Sequence, residues 1–407
     1  MNNELTIIFR VTCDCNINCE YCYAKGQRKL FGSLKATREI IDHTAKLVAD
    51  FTDEAQWIWH GGEPTLMGKQ FYRDIQDVFY NHYQCEFRQG MQSNGVLASL
   101  DYDWVDTLNS LGIDLGLSFD GYTQYIRMGD NFTQEELIDR YFNLMSYIQK
   151  TNKNKQSSGA ITVVHAKNID RLIDMYELYK VRLPDSVPAF NFVFNAVGNH
   201  THGLGISRED YVTHFSAYCE HLWLDASSNS IMERTVNQFI IMLFSAEKHS
   251  LCTYIDCRGG WLGIQPDGGI IYCDRELADK YTVGNIMDYN SIEDIYNSKG
   301  FKTMFADIGI RLSYCTKCPY FEFCGGNCNS NHGTYNDGLM DKVSLNVCLP
   351  FQLNFISTLR VVEKIKLDTP INRHIHDMLL RAPSLLPCEI SYFLKRNSEL
   401  ITLLIFT

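Results

Sequence analysis

Three cysteines near the start of the chain have a spacing that suits an iron–sulfur cluster. Cys15, Cys19 and Cys22 form the pattern C-x3-C-x2-C. A [4Fe–4S] cluster normally takes four cysteine ligands, so three thiolates would leave one iron open to another molecule. Two other interpretations stay open at this point. Zinc sites usually pair one C-x2-C unit with a second one, and disulfide clusters are typical of short secreted chains.

A glycine-rich turn follows the second candidate strand and carries one carboxylate. Its residues are Gly61, Gly62, Glu63 and Pro64. The two glycines let a ligand approach the backbone closely, and Glu63 together with backbone carbonyls can accept hydrogen bonds from an ammonium group. Alone, such a segment is an ordinary turn. Combined with the three cysteines, it is a much more specific signal.

The two motifs together resemble those of the radical S-adenosylmethionine (radical SAM) enzymes. The resemblance implies that one cluster and S-adenosylmethionine (SAM) yield a 5′-deoxyadenosyl radical. Tyr21 matches the aromatic residue of the cysteine motif, and the turn at residues 61–64 matches the family's methionine-binding motif. The resemblance also makes Asn94, Ser118 and Arg127 candidate cofactor contacts. Ordinary turn chemistry is the alternative for the Asn-Gly and Asp-Gly pairs near these positions.

A second group of cysteines lies between residues 252 and 348. Its spacing resembles the SPASM domain, an accessory module that holds two further [4Fe–4S] clusters, although zinc ribbons also contain C-x2-C pairs. The resemblance assigns the first auxiliary cluster to Cys252, Cys257, Cys273 and Cys328, and the second to Cys315, Cys318, Cys324 and Cys348. If Cys252 does not bind, the first auxiliary cluster keeps an open iron. The four remaining cysteines are expected to be buried small hydrophobic residues, namely Cys13, Cys85, Cys219 and Cys388.

Short apolar runs alternate with helical stretches over the first half of the chain, which predicts parallel β/α units. Candidate strands are residues 5–10, 55–60, 85–93, 113–118, 160–164 and 189–195, and candidate helices include 40–51 and 134–150. Six such units resemble the partial (β/α)6 TIM-type barrel of the radical SAM fold, an α/β fold. The predicted domains are a barrel at 1–205, a helical linker at 206–250, the SPASM domain at 251–350 and a helical extension at 351–407.

Composition narrows the range of partners and locations. The net charge is −11, and nucleic-acid binders usually carry a basic patch, so we expect no nucleic-acid partner. No apolar run is long enough to span a bilayer, and the first ten residues lack the pattern of a signal peptide. We therefore expect a cytoplasmic protein without a membrane partner. An open cluster oxidises readily, which suggests an anaerobic or microaerobic setting.

The predicted function is a radical SAM oxidoreductase that acts on a ribosomal peptide or protein. It would abstract hydrogen from a side chain and install a crosslink or a dehydrogenation during natural-product maturation. The alternative is an anaerobic sulfatase maturase that oxidises Cys or Ser to formylglycine. For that alternative Asp274 matches the expected general base, although it could equally be a solvated aspartate beside Arg275.

Other inferences concern partners and competing functions. We expect an external one-electron reductant such as flavodoxin or ferredoxin. No leader-binding domain is expected before the barrel, so residues after Cys348 would bind the substrate. A non-catalytic iron–sulfur electron carrier is the remote alternative, and it predicts no cleavage of SAM.

Overall fold

The computed structural model describes residues 5–22, 24–123, 133–151, 160–184, 186, 189–193, 203–224, 260–272 and 283–316. The chain divides into two compact units. One consists of residues 1–161 with 257–308, and the other consists of residues 162–256 with 309–407. The predicted helical extension at 351–407 and the later part of the predicted linker lie outside the described residues.

Eight strands of the described residues form one sheet. They are β1 (Leu5–Thr12), β2 (Glu54–Gly61), β3 (Glu86–Ser93), β4 (Ile113–Ser118), β5 (Ala160–Val164), β6 (Ala189–Phe192), β7 (Trp261–Ile264) and β8 (Ile270–Ile271). Their order is β6-β5-β4-β3-β2-β1-β7-β8. The pairs from β1 to β5, and the pair β1 with β7, are parallel, whereas β7 and β8 are antiparallel. Six of the strands occur where the alternating pattern predicts them, so the predicted α/β fold is confirmed.

Helices follow the strands as the β/α pattern predicts. They are α1 (Lys25–Phe31), α2 (Arg38–Phe51), α3 (Lys69–Asp74), α4 (Gln76–Asn81), α5 (Val96–Leu100), α6 (Asp103–Ser110), α7 (Gln134–Thr151), α8 (Leu172–Arg182), α9 (Arg208–Leu224), α10 (Ile292–Asn297) and α11 (Lys299–Cys315). The predicted helices at 40–51 and 134–150 correspond to α2 and α7. Ser207 caps α9, because its Oγ accepts a hydrogen bond from the Asp210 N–H at 3.0 Å.

An aromatic layer covers the helix side of the central strands. Trp57 and Trp59 of β2 are fully buried, and Phe9 of β1 stacks on Trp57 with ring centroids 5.1 Å apart. Phe79 of α4 packs edge-on against Trp57, and Tyr72 of α3 packs edge-on against Trp59. Because successive side chains of a strand point to opposite faces, the residues between these aromatics point to the other face of the sheet.

The β7–β8 hairpin turns at Gln265–Gly268. The Gly268 N–H donates to the Gln265 carbonyl at 2.9 Å, and the Gln265 N–H donates to the Gly269 carbonyl at 2.8 Å. Gly268 has a φ of +85°, which is the left-handed region that favours glycine. The turn lies at the end of β7, at the same edge of the sheet as the carboxyl end of β1.

Candidate active site at the carboxyl ends of the strands

The three cysteines lie on the loop that leaves β1. Cys19 is buried, while Cys15 and Cys22 are partly exposed. The Cys22 N–H donates to the Cys19 carbonyl at 3.2 Å, which closes a turn between them. Burial raises the pKa of the Cys15 thiol to about 11, with smaller contributions from Glu63, Cys19 and Cys22. Bound iron would therefore have to stabilise the Cys15 thiolate, since metal binding displaces the proton.

The glycine-rich turn lies directly against this loop. The Gly62 N–H donates to the Thr12 carbonyl, and the Glu63 N–H donates to the Asp14 carbonyl, both at 2.8 Å. A Cβ atom at Gly62 would lie 2.1 Å from the Asp14 carbonyl oxygen, and one at Gly61 would lie 2.0 Å from the Thr12 carbonyl oxygen. The two glycines thus allow the backbones of the turn and the cysteine loop to meet.

Glu63 is enclosed by hydrogen-bond donors. Its Oε1 accepts from the Thr65 N–H at 3.0 Å, the Thr65 hydroxyl at 2.5 Å and the Ser93 hydroxyl at 2.9 Å. Its Oε2 accepts from the Asn94 N–H at 2.7 Å. Burial raises the pKa of Glu63, and the hydrogen bonds from Thr65, Asn94 and Ser93 oppose that rise. Within the described part of the chain Oε2 accepts from one donor, so it keeps capacity to accept from an ammonium group.

Asn94 connects the end of β3 to the cysteine loop. Its Nδ2 lies 2.7 Å from the Asn16 Oδ1 and 3.7 Å from the Cys15 Sγ. Its Oδ1 accepts from the Val96 N–H at 3.0 Å. The structure therefore brings Asn94 to the candidate cluster site, which agrees with its place after the carboxyl end of a parallel strand of the same sheet.

Two further predicted residues are Ser118 and Tyr21. Ser118 is the last residue of β4, and Tyr21 contacts Asp120 in the segment after it. The Ser118 hydroxyl accepts a hydrogen bond from the Gln92 Nε2 at 2.9 Å. The Tyr21 hydroxyl donates to the Asp120 carboxylate, which is almost fully buried. The sequence interpretation did not select Gln92 or Asp120. Their position at strand ends was the available signal for both.

Arg10 and Gln265 are polar residues of the site that the sequence interpretation also missed. Phe9 of β1 pairs with Ile264 of β7, so Arg10 and Gln265 extend that register by one residue. Arg10 pairs with His60 of β2 on its other side, and Arg10 also forms a hydrogen bond with Cys13. Gln265 is 1% exposed, and among the described residues neither its Oε1 nor its Nε2 has a hydrogen-bond partner. The period-two alternation of β1 places these side chains opposite the aromatic layer.

Several predicted site residues lie outside the described residues. They are Arg127, Cys252, Cys257, Cys273, Asp274, Cys318, Cys324, Cys328 and Cys348. Cys315 is the last residue of α11. Of the four cysteines predicted to be buried hydrophobic residues, Cys13, Cys85 and Cys219 are confirmed as buried, and Cys388 lies outside the described residues.

The residues present fit a cluster with a bound cofactor. Within the part of the chain that the structure describes, no group of three His, Cys, Asp or Glu side chains could hold a single metal ion. A [4Fe–4S] cluster is different, because each of its irons takes its own ligand. Three thiols on one loop, with Asn94 and a close-packed glycine turn beside them, provide such a set of ligands and an adjoining polar surface.

Family models identify the class of protein. Residues 9–179 match the radical SAM superfamily, and residues 252–319 match the SPASM iron–sulfur cluster-binding domain. The chain therefore carries a radical SAM domain followed by a SPASM domain, and its cofactors are [4Fe–4S] clusters and SAM. The zinc and disulfide interpretations of the cysteines are not supported by these matches.

Relatives with described activities match over most of the chain. A cysteine-type anaerobic sulfatase-maturating enzyme of Clostridium novyi is 24% identical over 382 residues, which is 89% of this chain and 98% of that protein. A serine-type anaerobic sulfatase-maturating enzyme of Bacteroides thetaiotaomicron is 22% identical over 351 residues, or 78% of this chain and 80% of that protein.

Solved structures share the fold. The structure of anSMEcpe with bound AdoMet and the Kp18Cys peptide has a TM-score of 0.71 at 19% identity and covers 88% of this chain and 98% of that one. Streptococcus suis SuiB bound to its precursor peptide SuiA has a TM-score of 0.55 at 15% identity, with coverage of 84% and 74%. Among the helices described here, none is long and apolar enough to cross a membrane.

Proposed function

We propose that this radical SAM enzyme oxidises a Cys or Ser side chain of a sulfatase polypeptide to formylglycine. One observation carries the proposal. The similarity to a sulfatase-maturating enzyme extends over 98% of that relative and includes both the radical SAM and the SPASM segments. This replaces crosslinking or dehydrogenation of a natural-product precursor as the preferred function. The match to SuiB, which binds a precursor peptide, covers less of that chain and has the lower TM-score.

The proposed reaction removes two electrons from one side chain. When bound, SAM and its reduced cluster supply a radical that takes one hydrogen atom, and the auxiliary clusters supply an acceptor for one electron. Asp274 would remove the accompanying proton as general base. Serine then becomes an aldehyde directly. Cysteine becomes a thioaldehyde, which water converts to the aldehyde with release of hydrogen sulfide.

The residues proposed for cofactor binding follow from the site. Cys15, Cys19 and Cys22 would hold the SAM-binding cluster and leave one iron open. The turn at residues 61–64 would bind the methionine part of SAM, because Glu63 keeps an acceptor site on Oε2. Asn94, Ser118 and Arg127 would contact other parts of the cofactor. Tyr21 would border the cofactor site, held by Asp120.

The test uses three peptides that differ only at the target position, with Cys, Ser or Ala there. The reconstituted protein is incubated anaerobically with SAM and a reductant, and the products are analysed by mass spectrometry after trapping with a hydrazide. An aldehyde from the Cys or the Ser peptide, and none from the Ala peptide, is expected. Loss of two hydrogens without hydrazide trapping, together with fragments that join two residues, would instead favour crosslinking.

The same assay distinguishes the electron-carrier alternative, which predicts no 5′-deoxyadenosine. Substitution Asp274→Asn should stop aldehyde formation while SAM cleavage continues, since the substitution removes the base and retains the cluster ligands. Full product formation by this variant would exclude Asp274 from the reaction. We further propose a cytoplasmic location, an external one-electron reductant, and no nucleic-acid or membrane partner.

A further inference from the structure

The segment that leaves the cysteine loop has a local excess of positive charge. Residues 25–35 contain four cationic side chains and no acidic one, although the whole chain has a net charge of −11. Two leucines of the same segment are largely exposed to solvent, Leu30 at 64% and Leu34 at 44%. We name this surface the α1 patch and define it by Lys25, Arg28, Lys29, Leu30, Leu34 and Lys35.

The α1 patch is attached directly to the candidate cluster loop. The Lys25 N–H donates to the Cys22 carbonyl at 3.4 Å. The Arg28 Nη2 donates to the Cys15 carbonyl at 2.9 Å and forms an ion pair with Asp14 at 3.2 Å. At its other end the patch returns to β1, where the backbone of Lys35 forms an isolated antiparallel β-bridge with Thr12. A molecule bound on the α1 patch would therefore contact the segment that supplies Cys15 and Cys22.

Two of the four charges of the α1 patch are available to a partner. Lys29 and Lys35 are exposed and have no acidic partner among the described residues. An acidic protein approaching this chain would be repelled by its overall charge and attracted by this local surface. Such local attraction orients the encounter and raises the association rate. Exposed leucines among cations add apolar contact, which suits the small interfaces of electron-transfer complexes.

We propose that the α1 patch is the docking surface for an acidic one-electron carrier protein of the flavodoxin or ferredoxin kind. In the docked complex the carrier loses one electron and the cluster on Cys15, Cys19 and Cys22 gains it. No atom is transferred and no bond is broken. The inference requires that the chain is a radical SAM enzyme. It does not depend on which side chain the enzyme oxidises.

The test compares two double variants that change the net charge equally. Lys29→Glu with Lys35→Glu alters the α1 patch, and Lys46→Glu with Lys302→Glu alters exposed lysines on α2 and α11. A purified flavodoxin is the probe. Its binding is followed by surface plasmon resonance, and reduction of the cluster is followed by stopped-flow absorbance. SAM cleavage driven by dithionite reports the intact cluster.

The patch variant should lower the association rate constant for flavodoxin by about tenfold or more at low ionic strength, with a smaller effect at high salt. Its dithionite-driven SAM cleavage should match that of the control variant. Leu34→Ser should weaken the complex at every ionic strength, because apolar contact is not screened. Equal behaviour of the two double variants toward flavodoxin would overturn the proposal. An equal loss of SAM cleavage with flavodoxin and with dithionite as the reductant would also overturn the proposal. Weaker binding of the substrate peptide, with flavodoxin binding unchanged, would overturn it too.

Discussion

At position 62, a side chain would collide with the backbone of the cysteine loop. A Cβ there would lie 2.1 Å from the Asp14 carbonyl oxygen and 2.6 Å from the Cys13 carbonyl oxygen. Both neighbours are backbone atoms in a loop that is hydrogen-bonded to the same turn. The two segments would have to separate to admit a methyl group, and the candidate cluster ligands lie on one of them.

Gly62→Ala should therefore destabilise the protein by about 1–3 kcal/mol or more, as overpacking does, and lower the iron content after reconstitution. Thermal unfolding followed by circular dichroism and an iron assay measure the two effects. Gly309→Ala in α11 is the matched control, because a Cβ there meets nothing within 4 Å. The control should raise stability by about 0.5–1 kcal/mol. An unchanged melting temperature and iron content for Gly62→Ala would contradict the close approach.

Glu63 joins two loops through one buried carboxylate. Glu63→Gln would place an amide N–H₂ against the Thr65 and Ser93 donors or against the Asn94 N–H. Either arrangement leaves buried donors without an acceptor, which costs about 1–3 kcal/mol. Because Asn94 contacts Cys15, the substitution should also weaken retention of the cluster. Chemical denaturation and iron retention are the measurements.

The penalty of Glu63→Gln should depend on pH. Burial raises the pKa of Glu63 in the folded protein, so the folded state holds this proton more tightly than the unfolded state. The contribution to stability is then fully present below the unfolded pKa of about 4.3 and is lost as the pH rises through the folded pKa. Glutamine does not titrate, so the stability difference between wild type and variant should shrink as the pH rises above the unfolded pKa and through the raised folded pKa. A difference that grows over this range would contradict the raised pKa.

At the scale of elements, the β7–β8 hairpin lies between Cys257 and Cys273 in the sequence. Its turn residue Gly268 has a φ of +85°, and a Cβ there would lie 2.5 Å from the Asn285 Oδ1. Asn285 is itself fixed, because its Nδ2 donates to the Asp267 carbonyl at 2.7 Å. The hairpin is thus held by a polar contact that leaves no space for a side chain.

Gly268→Ala should distort this hairpin and lower the iron content of the SPASM segment more than that of the radical SAM segment. Gly203→Ala is a matched control, because Gly203 has a φ of +79° and a Cβ there meets nothing within 4 Å. Both variants carry the cost of a left-handed alanine, about 1 kcal/mol, and only Gly268→Ala adds the steric conflict. Electron paramagnetic resonance of the reduced proteins measures each type of cluster. Equal loss in the two variants would contradict a role for the turn.

At the scale of the whole molecule, two groups of cysteines should have separable roles. Replacing Cys15, Cys19 and Cys22 by Ala should abolish SAM cleavage. Replacing Cys315 and Cys318 by Ala should leave SAM cleavage detectable but stop product formation, because the substrate would lack an electron acceptor. Chromatography of 5′-deoxyadenosine and mass spectrometry of the peptide measure the two steps.

Cys85→Ala is the control for this set, since Cys85 is buried and lies in neither group. It should retain both activities and lose some stability, as truncation of a buried side chain does. Full product formation without Cys315 and Cys318 would exclude the second auxiliary cluster from the oxidation. Loss of both activities in Cys85→Ala would make the comparison a measure of folding rather than of chemistry.

The sequence by itself determined the parts of this protein that depend on local spacing. Three cysteines within eight residues define a candidate cluster site without any tertiary information. The alternation of apolar residues predicted β1 to β6 closely, because strand periodicity is a local property. The cysteine spacings between 252 and 348 likewise led to the SPASM domain, which the family model confirms.

Only the tertiary structure decided which distant residues meet at the site. Asn94 lies 79 positions from Cys15, and Asp120 lies 99 positions from Tyr21. Periodicity indicates that two side chains share a face of a strand, but the order and register of the strands decide which side chains become neighbours. For the same reason, Glu63 was recognised from its motif, whereas its four hydrogen bonds became visible only when the strands were assembled. The same holds for the Gln265 amide, which has no partner among the residues that the structure describes.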